Sequence, residues 1–130
     1  MATLTKDQAH LLEGPNFAVV ATVKADGTPQ TSVVWIDWDG ENVVFNTVIT
    51  RAKGRNLVDD PRVSISVWDG ADPYRYVEIE GVASIEPDGA AAAAHIHKLS
   101  RKYRGTEYPD PDGRVIVRVR PTRVHSMGVD

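Results

Sequence analysis

Two Asp-Gly pairs, Asp26-Gly27 and Asp39-Gly40, separate three β-rich runs by connections too short for a crossover helix. Short connections of this kind join neighbouring strands antiparallel, because a parallel return needs a dozen or more residues. The runs are FAVVATV at 17–23, the stretch from Pro29 to about Trp38, and ENVVFNTV at 41–48. Their β-branched residues suit a pleated, half-buried surface. They predict a meander of two hairpins.

Three later segments keep the same period. In RVSISVW, residues 62–68, Val63, Ile65 and Val67 alternate with Ser64, Ser66 and Trp68, the pattern of a strand with one face buried. GADP at 70–73 reads as a loop. Residues 75–86 set Val77, Ile79, Ala83 and Ile85 against Glu78 and Glu80, and Gly81 predicts a bulge or bend. RVIVRVR, residues 114–120, sets Val115, Val117 and Val119 against Ile116, Arg118 and Arg120. Helical signals are fewer. Thr5 and Gln8 form a capping box for a helix that passes Leu11 and Leu12 and stops at Gly14-Pro15. A short helix is expected from about Ala52 to Asp59, although Gly54 disfavours it. The longest helix is expected over 88–104, with the Ala90–Ala94 run inside it, and Pro109, Pro111 and Gly113 mark an exposed loop after it. The sum is a mainly β chain with short helices: six mostly antiparallel strands, in a closed or partly closed barrel that protects its edges. Periodicity alone fits a sandwich as well. No repeat or linker divides the chain, so one domain over residues 1–130 is expected.

Composition narrows the function. The chain has no cysteine, which excludes disulfides and thiolate metal sites. A net charge of -3 gives no global attraction to nucleic acid or anionic lipid, so an anion site must be local. The polar start MATLTKDQAHLLEG lacks the apolar stretch of a signal peptide, and no run reaches the length of a membrane span. A cytoplasmic protein is the expectation.

The candidate local site is TVITRAKGRNL, residues 47–57. It places Arg51, Lys53 and Arg55 within five residues just after a strand, with Thr50 and Asn56 as neutral donors. Cations beside a helix N-terminus make a phosphate site; a solvated basic face on a surface helix gives the same pattern. Asp37, Asp39 and Glu41 are expected at a hairpin tip rather than around a cation. His95 and His97, two apart on a helix, are expected as a surface pair, and His10 and His125 as structural or exposed residues. No metal site is expected. No GxSxG, Walker-type or GxGxxG pattern occurs, and no nucleophile–base pair is evident. Trp35, Trp38 and Trp68 offer aromatic surface for a planar ligand, the core or an interface.

NFAVVATVKADGTPQTSVVWIDWDG, then VVFNTVITRAKGRNLVDDPRVSISV, then RYVEIEGVASI and a late RVIVRV follow one another in order and spacing. In this the chain resembles the pyridoxamine-phosphate-oxidase-like split β-barrel flavoproteins, and within them the actinobacterial branch that uses the deazaflavin coenzyme F420. The resemblance implies a six-stranded, FMN-binding-like split barrel and a homodimer with cofactor sites in its interface. It implies that Ser32, Val33, Val34 and Trp35 lie along the ring and offer it backbone groups. Thr47 and the loop Thr50, Arg51, Ala52, Lys53 would meet the phosphate, with Lys53 at the family's phosphate lysine. Arg51, Arg55 and Asn56 match the deazaflavin branch, and Arg75 and Tyr76 would reach the cofactor of the opposite subunit. Ala52 stands where flavin-phosphate oxidases carry arginine, and the C-terminal Trp and Arg motif of pyridoxamine phosphate oxidases is missing after Val119. Pyridoxamine phosphate is therefore not the expected substrate. The resemblance implies a reductase that transfers hydride from reduced coenzyme F420 to a conjugated or electrophilic organic acceptor, with no side chain assigned as proton donor. An FMN-dependent oxidase or reductase, and a non-catalytic F420-binding protein, are the alternatives.

Overall fold

A computed structural model describes residues 2–87 and 89–130. The chain runs α1 (Lys6–Glu13), β1 (Phe17–Val23), β2 (Pro29–Trp35), β3 (Asp37–Trp38), β4 (Val43–Val48), α2 (Ala52–Asp59), β5 (Arg62–Asp69), β6 (Asp72–Glu86), α3 (Gly89–Arg104) and β7 (Arg114–Met127). The expected start of the long helix at residue 88 lies outside the described residues; from Gly89 to Arg104 the helix is as predicted.

All seven strands belong to one sheet in the order β2-β1-β5-β6-β7-β4-β3, and every pairing is antiparallel. The two ends of that order, β2 and β3, are separated along the chain by Ile36 alone. The sheet therefore curls until one bent strand supplies both of its edges, which is a split barrel. Six strands were expected and seven are found among the described residues, because the Pro29–Trp38 run breaks once. The break has a distant cause. The Ile36 N–H donates to Tyr103 Oη at 3.0 Å, and its C=O accepts from Lys102 Nζ at 2.6 Å. Side chains of α3 thus replace the ladder bonds of this residue.

The predicted three-strand meander is corrected in its second half. β1 and β2 pair over their whole length, from Phe17↔Trp35 to Val23↔Pro29. The second hairpin keeps only Asp37↔Val44 and Trp38↔Val43, and β4 runs instead along β7. The 70–73 loop is tighter than predicted, since β6 already begins at Asp72. β7 also outlasts its predicted end. Pro121 sits opposite Gly81, where the β6–β7 register shifts, and a bulge tolerates a residue without an N–H.

Alternation fills the barrel. Val20, Ile36, Phe45, Ile65, Val67, Val77, Ile79, Val117 and Val119 are almost wholly buried together, and α1 plugs one end with Leu11 and Leu12. Each such side chain is worth about 1.5–3 kcal/mol of burial. The Thr5–Gln8 capping box that starts α1 is present in both directions. α3 packs outside the barrel, with Ala92 against Val44 and Ile116; the small side chain lets the helix backbone approach β4 closely. In α2, Gly54 is required despite its low propensity, because a Cβ there would lie 2.8 Å from the Ile49 carbonyl oxygen. Among the described residues no helix is long and apolar enough to cross a membrane.

Candidate functional site

A cavity of about 200 Å³ opens between β2, the β4–α2 corner, α3 and the start of β7. Val33, Val34 and Trp35 form one side, and Arg51 and Lys53 enter from the corner. Phe17, Asn46, Ile96, Leu99, Tyr108 and Arg114 complete it.

The β2 side is an edge of the sheet, so its outer backbone groups face no neighbouring strand. Val33 is 64% exposed there. The aromatic wall is cross-braced: Trp35 stacks on Tyr103 with centroids 5.4 Å apart, and Tyr108 stands edge-on to Trp35 at 6.1 Å. Tyr103 is anchored by its hydroxyl, which donates to the Asn16 carbonyl; burial pushes that phenol up to about 12.

The other side is cationic. Arg51 is the N-cap residue of α2, and no side chain caps that helix end, which leaves the first N–H groups available to an anion. Lys53 is half-buried. Burial, then the charges of Arg51 and Arg114, lowers its pKa from the ordinary lysine value. Arg114 is 7% exposed. Its Nη1 donates to Asn46 Oδ1 at 3.2 Å and its Nη2 to Tyr108 Oη at 2.7 Å. Asn46 in turn donates to the Ala92 carbonyl at 3.0 Å and lies 3.2 Å from His95 Nδ1. His95 Nε2 is 3.2 Å from Asp37 Oδ2, which also accepts from Lys98 at 3.0 Å. Burial works to raise the Asp37 pKa, but the bonds from His95, Lys98 and the Trp38 N–H outweigh it and hold the carboxyl well below its usual range.

The cavity brings together Val33, Val34, Trp35, Arg51 and Lys53 of the residues singled out from sequence. Ser32, Thr50 and Ala52 flank it without lining it. Thr47 is fully buried with its hydroxyl unpartnered, on the β4 face shared with Phe45, while its neighbour Asn46 takes the cavity face. Arg55 folds back onto the Thr50 carbonyl, and Asn56 ties α2 to Thr22 and Gln30 at 3.0 Å each. Arg75, 3.7 Å from Asp69, and Tyr76, opposite Met127, lie on β6 and do not line the cavity of their own chain.

Two expectations are corrected. His95 is not a surface residue: its side chain is 10% exposed and bonded on both ring nitrogens. Asp37 is not at the hairpin tip, where Asp39 alone caps the turn by accepting from the Glu41 and Asn42 N–H groups. Among the described residues no three His, Cys, Asp or Glu side chains converge on a metal position. The residues missed from sequence are Asn46, Tyr108 and Arg114. The available signal is Arg114 heading an apolar strand on the same face as Ile116, a face that α3 covers. A larger hollow of about 390 Å³ beside Arg62, Gly81 and Thr122 has less to offer an anion, since Arg62 is tied to Asp60 at 2.7 Å.

A split barrel with an aromatic edge and a cationic corner defines a class of cofactor-binding oxidoreductase. The family described as pyridoxamine 5'-phosphate oxidase matches residues 4–128, and the chain belongs to it. A solved F420 reductase superposes with a TM-score of 0.83 at 39% identity, covering 94% of this chain and 98% of that one. An F420H(2)-dependent biliverdin reductase from Mycobacterium tuberculosis is 27% identical over 121 residues, 93% of this chain and 86% of that protein. A pyridoxine/pyridoxamine 5'-phosphate oxidase from an Acidovorax species is 31% identical over 103 residues, but the match spans 46% of that enzyme.

Proposed function

We propose that this chain is an F420-dependent reductase that passes hydride to a conjugated or electrophilic organic acceptor. The observation that carries the reading is the entry of Arg51 and Lys53 into a cavity bounded by the β2 edge and Trp35. A planar ring with an anionic tail fits that combination. Backbone groups of Ser32 to Trp35 would hold the ring. Lys53, Arg51 and the uncapped start of α2 would hold the phosphate, and Thr50 and Arg55 would meet the tail beyond it. Thr47 and Asn56 would act from behind, through the packing of β4 and α2. When bound, the reduced coenzyme supplies the hydride; the chain supplies binding, orientation and exclusion of water. The similarity to an F420 reductase and to an F420H(2)-dependent biliverdin reductase supports the cofactor. Ala52 between the two cations leaves a spacing suited to a longer anionic tail than that of FMN.

An FMN-dependent enzyme on the same fold is the second reading, favoured by the likeness to a phosphate oxidase. The test is purification from a host that makes coenzyme F420, followed by mass and absorbance of the co-purified ligand and turnover with a panel of conjugated acceptors. A deazaflavin that reduces at least one acceptor is expected. Retained FMN would move the second reading to first place, and a retained deazaflavin without turnover would make the chain a cofactor-binding protein.

A homodimer, acting in the cytoplasm, completes the reading. Arg75 and Tyr76 lie away from their own cavity, as residues serving a partner's cofactor would. Exposed Tyr74 and Met127 beside them supply apolar surface. A stable interface of about 2,000 Å² or more is expected. Sedimentation should give a dimer at micromolar concentration; a monomer that binds cofactor fully would contradict it.

A further inference from the structure

Among the described residues, several charged side chains that are not fully exposed have a partner of opposite sign. Asp37 has His95 and Lys98, Arg118 has Asp39 and Glu86, and Arg62 has Asp60. Arg114 is different. Its guanidinium is buried, yet its two hydrogen-bond acceptors, Asn46 Oδ1 and Tyr108 Oη, belong to an amide and a phenol rather than a carboxylate. Its Nε is buried with no hydrogen-bond partner. Among the described residues no carboxylate stands within ion-pair distance of it. A buried charge without a counter-ion and a buried N–H without an acceptor each cost free energy. Both deficits sit in one residue, and that residue lines the cavity that Lys53 and Arg51 enter.

The surroundings keep the guanidinium in place. Tyr108 lies under it, with the ring centroid 4.6 Å from Cζ. Asn46 presents its oxygen to Arg114 because its amide nitrogen is engaged by the Ala92 carbonyl and His95 Nδ1. Turning the Asn46 amide over would break those contacts as well as the bond to Arg114. The donor is therefore preorganised before any ligand arrives.

We propose that Arg114 is an oxyanion-binding residue, the buried end of a subsite in which its guanidinium, with Lys53 and Arg51, takes a phosphate or carboxylate group. Two sources carry that chemistry: the phosphate of the cofactor and a carboxylate of the acceptor. The choice between them rests on the function proposed above; the assignment of Arg114 does not.

The direct test follows the Arg114 Nε–H by proton–nitrogen correlation spectroscopy of the wild-type protein, with the resonance assigned by its loss in Arg114→Lys. Inorganic phosphate is the probe. A saturable shift of that resonance is expected, and Arg114→Lys, which keeps the charge and loses the planar fork, should weaken phosphate binding about tenfold. An Nε–H that does not respond to phosphate, or a folded Arg114→Lys protein that binds phosphate like the wild type, would overturn the assignment. Because the wild-type shift is read on its own, a variant that fails to fold does not remove the test. Coenzyme F420 and its phosphate-free ring fragment then separate the sources. If the cofactor phosphate is the ligand, Arg114→Lys loses about tenfold in affinity for the coenzyme and nothing for the fragment. If the acceptor carboxylate is the ligand, cofactor affinity is unchanged and KM rises for an acidic acceptor but not for its ester. A protein that takes phosphate on Arg114 yet does not bind coenzyme F420 would overturn the proposed function and leave this assignment standing.

Discussion

Tyr108 accepts a hydrogen bond from Arg114 Nη2 at 2.7 Å while its ring stands edge-on to Trp35. One side chain thus joins the aromatic wall of the cavity to its cationic floor. Tyr108→Phe keeps the ring and removes the acceptor, leaving a buried guanidinium with Asn46 as its remaining hydrogen-bond acceptor. A bond to a charged group is worth about 1.5–3 kcal/mol, and Tyr108 is half-buried, so the low end, about 1.5 kcal/mol, is expected. Denaturant unfolding of wild type and variant checks it.

Lys53 enters the cavity half-buried and crowded by Arg51 and Arg114, which already disfavour its charge. An anion bound beside it would offset that repulsion. Lys53→Ala should weaken cofactor binding by roughly ten- to a hundred-fold and leave the protein folded. The coenzyme titration is read alongside thermal unfolding. Arg55→Ala should matter less with a short tail and more as glutamates are added, since Arg55 now rests on Thr50 at the surface.

Lys102 donates to the Leu12 and Ile36 carbonyls at 2.6 Å each. Burial pulls its pKa down to about 8, against about 10.4 in an unfolded chain. Between those values the unfolded state holds more protons than the folded one, so this lysine makes stability rise with pH from about 8 to about 10.4. Tyr103 acts oppositely and higher, because its raised pKa of about 12 makes its contribution fall away above about 10. The stability difference between wild type and Lys102→Met should therefore shift toward wild type as pH rises from about 8 to about 10. A difference independent of pH would contradict the burial of a charged ammonium at this bend.

Local chemistry was legible where local residues decide. Thr5 and Gln8 set the start of α1 between themselves, and the Ala52–Asp59 helix follows at its predicted bounds. The break at Ile36 was not legible, because the groups that satisfy its backbone come from Lys102 and Tyr103, far along the chain. The same physics divides the site. Lys53 and Arg51 were visible as a cluster in one short segment. Asn46 and Arg114 meet only when β4 pairs with β7 and α3 covers both. On β4, choosing Thr47 rather than Asn46 is a one-residue difference, and in a strand that reverses the face.

The most direct measurement of the cofactor assignment is a titration of purified, cofactor-free protein with coenzyme F420 and with FMN at one ionic strength, since contacts to exposed cations are screened by salt. The two cations flanking Ala52, with the β2 edge beside them, predict a lower Kd for coenzyme F420. A lower Kd for FMN would contradict the account.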